Sequence, residues 1–407
     1  MLPSNNSAKI TTAAFKPELF CLFSICFEVF LISKNKFTIL SLFINLLCQL
    51  IQKNSIFGNT IGFKMDNIKL LSVNELAKIT QHRSGEVKFG EKVYTIPNNE
   101  NPLDFMKNCE AQFVLLGIPE DIGVKANLGR TGTASAYESA LKSLVNIQHN
   151  KFCKGNNLLI LGNLEVSEEM KRAAQLTVTN KEDRKELFEL VEKIDKEVSH
   201  IIHEIVKVGK IPIIIGGGHN NAYGNIKGLA LAKGKPVNAV NFDAHTDFRV
   251  LEGRHSGNGF SYAFEDGFLK KYFIFGMHES FISKGVLQNI KSVSERVQYT
   301  TYEEIEVRKE KSFVNQLSEA LNFIKNDFFG IELDLDAIPG IYSSAMTLSG
   351  FSVQQAREYI HFFGKNKNAS YLHICEGAPD LDQTNNNHLT GKLVAYLITD
   401  FMKSKMS

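Results

Sequence analysis

The sequence predicts an α/β fold in which helices cover both faces of a mostly parallel sheet. Short apolar runs alternate with longer segments of helical periodicity from residue 110 onward. The apolar runs are nearly continuous, which is typical of strands that are buried on both faces. The 407 residues are enough for one large α/β domain or two smaller ones. Ligands of such sheets bind beyond the carboxyl ends of the strands, so polar residues that follow an apolar run are the candidates for a site.

Strand and helix candidates alternate along the chain. The strand candidates are Gln112–Ile118, Leu158–Leu161, Ile211–Ile215, Val237–Phe242, Tyr272–Phe275, Phe328–Leu335 and Tyr371–Cys375. The helix candidates are Leu187–Val208, Ala222–Ala232, Phe313–Ile324, Val353–Phe363 and Leu389–Met402. The first of these helices is the clearest, because its apolar residues recur every three or four positions. Strands separated by helices in this way indicate a parallel sheet between two helical layers.

Composition narrows the class of protein. The net charge is +2, so there is no electrostatic case for nucleic acid or for an anionic membrane surface as a partner. The six cysteines include no Cys-x-x-Cys pair and do not resemble a disulfide framework. Their arrangement fits a reducing compartment, and we expect a cytoplasmic protein.

The first 64 residues differ in character from the rest. Leu19–Ile32 and Phe37–Ile51 are strongly apolar, but neither reaches the roughly 20 apolar residues of a membrane span. We see no clear cleavage site of a signal peptide. We interpret residues 1–64 as an apolar extension outside the mature protein, which begins at Met65, and residues 65–407 as a single domain. A membrane anchor is the alternative interpretation of the extension.

The stretch from Asn241 to Asp247 carries the strongest chemical signal. The apolar run Val237–Phe242 ends in Asp243, His245 and Asp247, at steps of two. Side chains alternate along an extended chain, so these three would project to the same side. Two carboxylates and an imidazole that converge on one point repel each other unless a cation lies among them. The structural alternative is a strand that ends in a polar turn.

Two further stretches supply similar side chains. His219 follows three glycines after the apolar run Ile211–Ile215, and Asn221 occupies the place of the third glycine of a dinucleotide loop. The glycines permit a tight turn that brings His219 into the crevice. Asp334 and Asp336 share one face at the end of another strand, although a helix cap or an acidic turn is an alternative.

Together these residues form a candidate metal centre. They provide two imidazoles and four carboxylates, which is more negative charge than one divalent ion balances: His219, Asp243, His245, Asp247, Asp334 and Asp336. Two ions with a bridging carboxylate fit this set. Imidazole and carboxylate ligands without a thiolate favour manganese, iron, cobalt, nickel or zinc. Such a pair lowers the pKa of a shared water towards about 7 and provides a hydroxide nucleophile.

The three motifs, in this order and spacing, resemble the ureohydrolase family of arginases, agmatinases and formimidoylglutamases. The resemblance covers most of residues 110–403. It implies a three-layer α/β/α sandwich with a mostly parallel sheet of about eight strands. It also implies two manganese ions per chain, with His219, Asp243, Asp247 and Asp334 on one ion and Asp243, His245, Asp334 and Asp336 on the other. The bridging residues Asp243 and Asp334 would be catalytic together with Glu376, which would also bind the cationic amidine or guanidine through paired N–H bonds.

The chain also departs from the family pattern. Glu332 stands where a serine usually precedes the Asp-x-Asp motif. Pro339 and Gly340 replace the usual Asp-Pro, and an early segment is reduced to Gly132-Thr133-Ala134. No departure removes a metal ligand, so we expect a divergent branch of the family.

Positions near the first motif bear on the substrate. Arg249, Ser256, Asn258 and Phe260 resemble the formimidoylglutamase pattern more than the arginase pattern. A guanidinium recognises a carboxylate with two parallel hydrogen bonds, and formimidoylglutamate has two carboxylates. A surface salt bridge is the structural alternative for Arg249. The expected substrate-binding residues are Arg249, Arg254, His255, Ser256, Asn258 and Glu376, whereas His278 is expected to be structural.

The leading hypothesis is a hydrolase that converts N-formimidoyl-L-glutamate to glutamate and formamide, which implies a role in histidine degradation. The first alternative is an arginase or agmatinase that releases urea. The second is a catalytically silent metal-binding protein with the same fold. In each enzymatic case the partner is a small amidine or guanidine, and a homo-oligomer is left open.

Overall fold

The structure is a computed structural model that describes residues 67–382 and 388–406, with only the backbone of His388. The expected N-terminal extension, residues 1–64, lies outside the described residues. No helix in the described part of the chain is both long and apolar enough to cross a membrane.

Within residues 67–382 and 388–406, nine strands form one sheet in the order β1-β3-β2-β4-β9-β8-β5-β6-β7. The strands are β1 (Ile68–Leu70), β2 (Phe113–Gly117), β3 (Leu158–Leu164), β4 (Ile211–Ile215), β5 (Val237–Phe242), β6 (Leu269–Met277), β7 (Val297–Thr301), β8 (Phe329–Asp334) and β9 (Ala369–Cys375). Every neighbouring pair is parallel except β1 with β3, which is antiparallel. The predicted mostly parallel sheet is therefore confirmed, with the edge strands β1 and β7 in addition to the seven predicted strands.

Helices occupy the segments between the strands. They are α1 (Val73–Ile79), α2 (Pro102–Asn108), α3 (Ile122–Ala126), α4 (Ala136–Val145), α5 (Ser167–Gln175), α6 (Lys181–Lys207), α7 (Asn221–Lys233), α8 (Gly259–Glu265), α9 (Lys284–Ser292), α10 (Phe313–Ile324), α11 (Val353–Gly364) and α12 (His388–Lys405). The longest, α6, begins six residues before its predicted start, because Asn180 caps its first turn by accepting a hydrogen bond from the Asp183 N–H.

Two apolar cores lie on opposite faces of the sheet. One core joins the sheet to α4, α10, α11 and α12, and the other joins it to α5, α6, α7 and α8. Alternate residues of a strand enter different cores: Ile213 and Ile215 belong to the first, and Ile214 belongs to the second. The result is the predicted three-layer sandwich, in which the strands are buried on both faces.

The centre of the sheet brings the predicted site residues together. Strands β4, β9, β8 and β5 are consecutive neighbours, and they run in the same direction. Their carboxyl ends lead to His219, Glu376, Asp334 and the Asp243–Asp247 segment. Residues that are far apart in the chain therefore meet at one edge of the sheet, as the strand pattern predicts.

Candidate metal centre and substrate cavity

The glycine-rich loop after β4 turns the chain so that His219 is fully buried at the carboxyl end of the sheet. Gly216 and Gly217 have φ angles of +91° and +72°, a region that glycine adopts without the strain of a Cβ atom. The loop therefore needs glycine for its conformation. It places the imidazole of His219 in the crevice, whereas a dinucleotide-binding loop would present backbone N–H groups.

Glu120, just beyond the end of β2, holds this loop in place. Its carboxylate accepts hydrogen bonds from the Gly218 N–H at 2.9 Å, the Asn221 side-chain amide at 2.7 Å and the Ile122 N–H at 2.7 Å. The sequence analysis did not single out Glu120, because one acidic residue after a strand forms no pattern. Its position beyond the carboxyl end of β2 was the only available signal.

His219 and three carboxylates form the first ligand group. The His219 Nδ1 atom lies 2.8 Å from Asp247 Oδ2, 3.3 Å from Asp243 Oδ2 and 3.3 Å from Asp334 Oδ2. All four side chains are buried, and one donor atom from each lies within 4.8 Å of the others. This is the ligand set that the family resemblance assigned to one ion.

Asp243, His245 and Asp336 form the second group, which shares Asp243 with the first. The His245 Nδ1 atom lies 3.0 Å from Asp336 Oδ2 and 3.5 Å from Asp243 Oδ1. Asp243 therefore directs one carboxylate oxygen to each group, as a bridging ligand does. Asp334 groups with the first set, and its Oδ1 accepts the Asp336 N–H at 2.8 Å. Its predicted contribution to the second ion stays a prediction.

The chemistry of these atoms fits bound cations. Both ring nitrogens of His219 and the Asp336 Oδ1 atom are buried and form no hydrogen bond of acceptable geometry with the described residues, although carboxylate oxygens lie close to His219 Nδ1. Burial and then the Asp336 carboxylate raise the pKa of Asp334 well above its ordinary value, and burial and then Asp243 raise that of Asp247 to about 6. Buried carboxylates that repel each other in this way are stabilised by a bound cation.

Glu376 lies beside the first ligand group at the end of β9. Its Oε1 accepts the His219 N–H at 2.7 Å, and its Oε2 accepts the hydroxyl of Ser344. Burial raises the pKa of Glu376 to about 8. Its φ angle of +60° and the +43° of Asp247 are strained for residues with a Cβ, and such strain is concentrated at functional sites. The sequence analysis missed Ser344, which lies in a loop between β8 and α11.

A cavity of about 560 Å³ opens above these residues. The ligands His245, Asp247, Asp334 and Asp336 line it together with Glu376. The remaining lining residues are Asn127, Gly129, Thr246, Arg249, Val250, Ser256, Gly257, Phe281, Ile282, Ser283, Gly285, Val286, Ser344 and Ala345. The cavity thus combines a highly charged floor with one largely apolar wall, and its volume suits a small molecule.

Arg249 and Ser256 line the cavity, and their role in substrate binding stays a prediction. The Arg249 guanidinium donates to Asn127 Oδ1 at 2.6 Å and to Glu252 Oε1 at 2.8 Å. The Asn127 side-chain amide donates in turn to the Ser256 hydroxyl at 3.1 Å. Arg249 therefore forms a surface salt bridge, which was the alternative to a role in substrate binding. It also borders the cavity, with 45% of its side chain exposed.

Arg254 and Asn258 lie away from the cavity, which corrects the prediction that they contact the substrate. Arg254 is 2% exposed, and its guanidinium donates to Asp195 on α6 at 2.8 Å and to Asn258 Oδ1 at 2.7 Å. It also donates to the carbonyl of Asn220 at 2.9 Å. A buried arginine needs such partners, and here they tie α6 to the residue after His219.

His255 is also buried rather than lining the cavity, and this corrects its predicted role in substrate binding. Its Nδ1 accepts the Gly257 N–H at 3.1 Å, and its Nε2 lies 3.2 Å from Glu252 Oε1. Burial, followed by the nearby Arg249, lowers the pKa of His255 to about 4. The neutral ring therefore shapes the turn that carries Ser256 to the cavity.

Aromatic contacts lie around the site. Phe260 is fully buried and packs edge-on against His219, with the ring centres 5.1 Å apart. His278 is stacked between Phe281 and Tyr302, at centre distances of 5.1 Å and 4.7 Å. This stacking supports the structural interpretation of His278.

The sequence is similar to that of known proteins. A sequence profile described as the arginase family matches residues 111–403. The formimidoylglutamase of Macrococcus caseolyticus (strain JCSC5402) is 27% identical over 287 residues, which are 70% of this chain and 82% of that protein. The formimidoylglutamase of Streptococcus pyogenes serotype M12 (strain MGAS2096) is 24% identical over 300 residues, which are 70% of this chain and 84% of that protein.

Solved structures show the same fold. The formimidoylglutamase of Bacillus subtilis subsp. subtilis str. 168 aligns with a TM-score of 0.63 at 18% identity, covering 88% of this chain and 98% of that one. The formiminoglutamase of Trypanosoma cruzi, crystallised with Mn²⁺, aligns with a TM-score of 0.59 at 18% identity, covering 78% of this chain and 98% of that one.

Proposed function

The chain belongs to the arginase family, and we propose that it hydrolyses N-formimidoyl-L-glutamate to L-glutamate and formamide. One observation carries the proposal. A single cavity is lined by four of the six candidate metal ligands, by the carboxylate of Glu376 and by the guanidinium of Arg249. A substrate with a cationic amidine at one end and carboxylates at the other complements that arrangement of charge. The formimidoylglutamases among the relatives support the same substrate.

The metal cofactor in this proposal is a pair of Mn²⁺ ions. His219, Asp243, Asp247 and Asp334 would hold the first ion, and Asp243, His245 and Asp336 would hold the second. We propose Asp334 as a further ligand of the second ion. The Mn²⁺ in the solved formiminoglutamase of Trypanosoma cruzi supports the choice of metal. When bound, the two ions would lower the pKa of a water molecule and so supply the nucleophile.

Glu376 binds the formimidoyl group. Its carboxylate is held by the His219 N–H and by the Ser344 hydroxyl, so its orientation is fixed before the substrate arrives. A fixed carboxylate accepts two parallel N–H bonds from an amidinium. This contact places the formimidoyl carbon next to the ligand cluster, since Glu376 and the ligands line the same cavity.

Arg249, supported by Asn127, binds a carboxylate of the glutamate moiety. The bond from Arg249 to Asn127 fixes one edge of the guanidinium at the cavity wall. A carboxylate of the substrate competes with Glu252 for the exposed side of that group. A free arginine would bring its own ammonium group to this position, and agmatine would bring no carboxylate at all, so both complement the wall less well.

The reaction balances with water as the second substrate. Water adds to the formimidoyl carbon, and the bond between that carbon and the glutamate nitrogen breaks. The glutamate nitrogen takes up a proton as it leaves, so the products are formamide and glutamate. The protein itself holds the two ends of the substrate and keeps the reacting carbon over the ligand cluster.

A substrate panel tests the proposal. The purified protein is loaded with Mn²⁺ and assayed with N-formimidoyl-L-glutamate, L-arginine, agmatine and several guanidino acids. We expect the highest kcat/KM with formimidoylglutamate and the release of formamide without urea. A higher kcat/KM with arginine or agmatine would contradict the proposal. Full metal loading with no turnover of any amidine or guanidine would contradict it as well.

We further propose a cytoplasmic location and a role in histidine degradation. The free thiols of Cys109, Cys153 and Cys375 support a reducing compartment.

A further inference from the structure

A buried carboxylate lies behind the first ligand group and has no part in the function proposed above. Glu332, on β8, is fully buried two residues before Asp334. Its Oε1 accepts the Tyr371 hydroxyl at 2.5 Å, and its Oε2 lies 2.6 Å from His373 Nδ1. The same Oε2 lies 3.6 Å from His219 Nε2. Glu332 therefore contacts a ring of a metal-ligand candidate from the side that faces away from the ligand cluster.

The strand register builds this arrangement. Glu332 and His373 are direct partners in the parallel pair of β8 and β9, so their side chains lie next to each other on one face. Tyr371 reaches Glu332 across Gly330, where a Cβ atom would lie only 2.0 Å from the tyrosine ring. The absence of a side chain at Gly330 thus leaves room for the donor that Glu332 requires.

The contacts keep Glu332 negatively charged. Its two oxygens are both compensated, since one accepts the Tyr371 hydroxyl and the other lies 2.6 Å from His373 Nδ1. A buried carboxylate with two strong donors is a stable anion, so its field acts on every group around it. His219 Nε2, 3.6 Å from Glu332 Oε2, is buried and has no hydrogen-bonding partner in the described part of the chain.

His219 has two different sides. Its Nδ1 faces the carboxylates of the first ligand group, and its Nε2 faces Glu332. A neutral imidazole binds a metal through one nitrogen and keeps its proton on the other. A proton on Nε2 is stabilised by the negative charge of Glu332, whereas a lone pair on Nε2 would be repelled by it. At 3.6 Å the contact is electrostatic rather than a formed hydrogen bond.

We propose that Glu332 is a positioning residue that holds the proton of His219 on Nε2 and thereby presents Nδ1 to the first metal ion. The inference rests on the metal centre of the proposed function. It explains why the position before the Asp-x-Asp motif can carry a buried acid in this chain. Partners of this kind contribute about ten- to a hundredfold to metal affinity in other proteins.

Metal binding tests the proposal without any substrate. The full chain and Glu332→Gln are titrated with Mn²⁺ alone by calorimetry, and the retained metal is counted after gel filtration. We expect Glu332→Gln to bind one of the two ions about ten- to a hundredfold more weakly and the other ion as before. Equal affinity of both variants for both ions would overturn the inference. Because no amidine is present, the result does not depend on which substrate the enzyme hydrolyses.

A matched control separates positioning from packing. Tyr359 is fully buried and donates its hydroxyl to the backbone carbonyl of Glu332 at 3.2 Å, not to its carboxylate. Tyr359→Phe should therefore lose thermal stability without loss of metal affinity. If both variants lost metal affinity to the same extent, general disruption of β8 would explain the effect and the inference would fail.

A measurement on the unmutated chain covers the case in which Glu332→Gln does not fold. Histidine labelled with ¹⁵N is observed by long-range ¹H–¹⁵N correlation in the Zn²⁺-loaded protein, and His219 is assigned from His219→Asn. We expect a protonated Nε2 and a metal-bound Nδ1. A metal-bound Nε2, or a proton on Nδ1, would overturn the inference.

Discussion

At the scale of single residues, the site depends on carboxylates that gain from a shared cation. Asp243 is the clearest case, because each of its oxygens faces a different imidazole of the cluster. His219 belongs to the first group only. The two residues should therefore differ in how many ions depend on them.

Substitution of Asp243 should have the larger effect on metal content. Asp243→Ala removes the ligand that both groups share, so we expect loss of both ions and of turnover. His219→Ala should mainly weaken one ion. Metal analysis of each variant after gel filtration measures this difference, and two tightly held ions in Asp243→Ala would show that Asp243 is not a bridge.

Arg254 shows which contacts cannot be predicted from a sequence pattern alone. An arginine near a metal motif has the same sequence signal whether it faces the cavity or an acid on a distant helix. Arg254 pairs with Asp195, which lies 59 positions away within the apolar stripe of α6. That pairing becomes visible only once α6 is packed against the loop. Arg249, five positions earlier, does line the cavity.

His255 should make stability depend on pH. Its pKa is lowered from 6.5 to about 4 in the folded chain, so the unfolded chain binds the proton more readily. The contribution of His255 is fully present above pH 6.5 and is lost as the pH falls through about 4. Between pH 7 and pH 4.5, His255 should lower the free energy of unfolding by on the order of 2 kcal/mol, and His255→Gln should remove this decrease. Urea unfolding at pH 7 and pH 4.5 measures this free energy. The same pH dependence in the wild type and in His255→Gln would contradict a lowered pKa of His255.

At the scale of elements, the site is made by loops that follow adjacent parallel strands. The strands β4, β5, β8 and β9 were predictable because each is a largely apolar run that leads to polar residues. The edge strands β1 and β7 were not, since one has three residues and the other, Val297–Thr301, is mostly polar. Glu120 and Ser344 were missed because their partners come from other strand ends.

The loop after β4 should tolerate no side chain at Gly217. A Cβ atom there would lie 2.3 Å from Asn221 Nδ2 and 2.7 Å from Glu120 Oε1. Gly217→Ala should therefore cost roughly 3 kcal/mol of stability and reduce metal affinity, because the loop carries His219. Gly234→Ala is a matched control, since its φ is also positive at +65° but nothing lies within 4 Å of the new atom.

Thermal unfolding and Mn²⁺ titration distinguish the two glycine variants. Gly234→Ala should lose about 1 kcal/mol through strain alone and should bind metal normally. Equal metal affinity in Gly217→Ala and Gly234→Ala would show that the loop conformation does not determine the position of His219.

At the scale of the whole molecule, the described residues contain every candidate ligand and both apolar cores. Residues 1–64 hold no ligand candidate. We predict that a chain beginning at Met65 folds, binds two ions and hydrolyses its substrate with an unchanged kcat/KM. Insolubility or inactivity of that chain beside an active full-length chain would contradict the prediction. Stable association of the full chain with membranes would favour a membrane anchor in residues 1–64. The oligomeric state is left open.

We propose that the cavity selects an acidic amidine through Arg249, and a comparison of kcat/KM values tests this claim. The assay measures formimidoylglutamate and arginine with the wild-type protein, Arg249→Ala and the control Arg172→Ala. Arg172 is similarly exposed, at 49%, and pairs with Glu186. A charge-assisted contact of about 1.5–3 kcal/mol predicts a ten- to a hundredfold loss with formimidoylglutamate in Arg249→Ala, towards the lower value because the group is partly exposed. Arg172→Ala should match the wild type. Faster hydrolysis of arginine by the wild type, or an unchanged kcat/KM for formimidoylglutamate in Arg249→Ala, would contradict the claim.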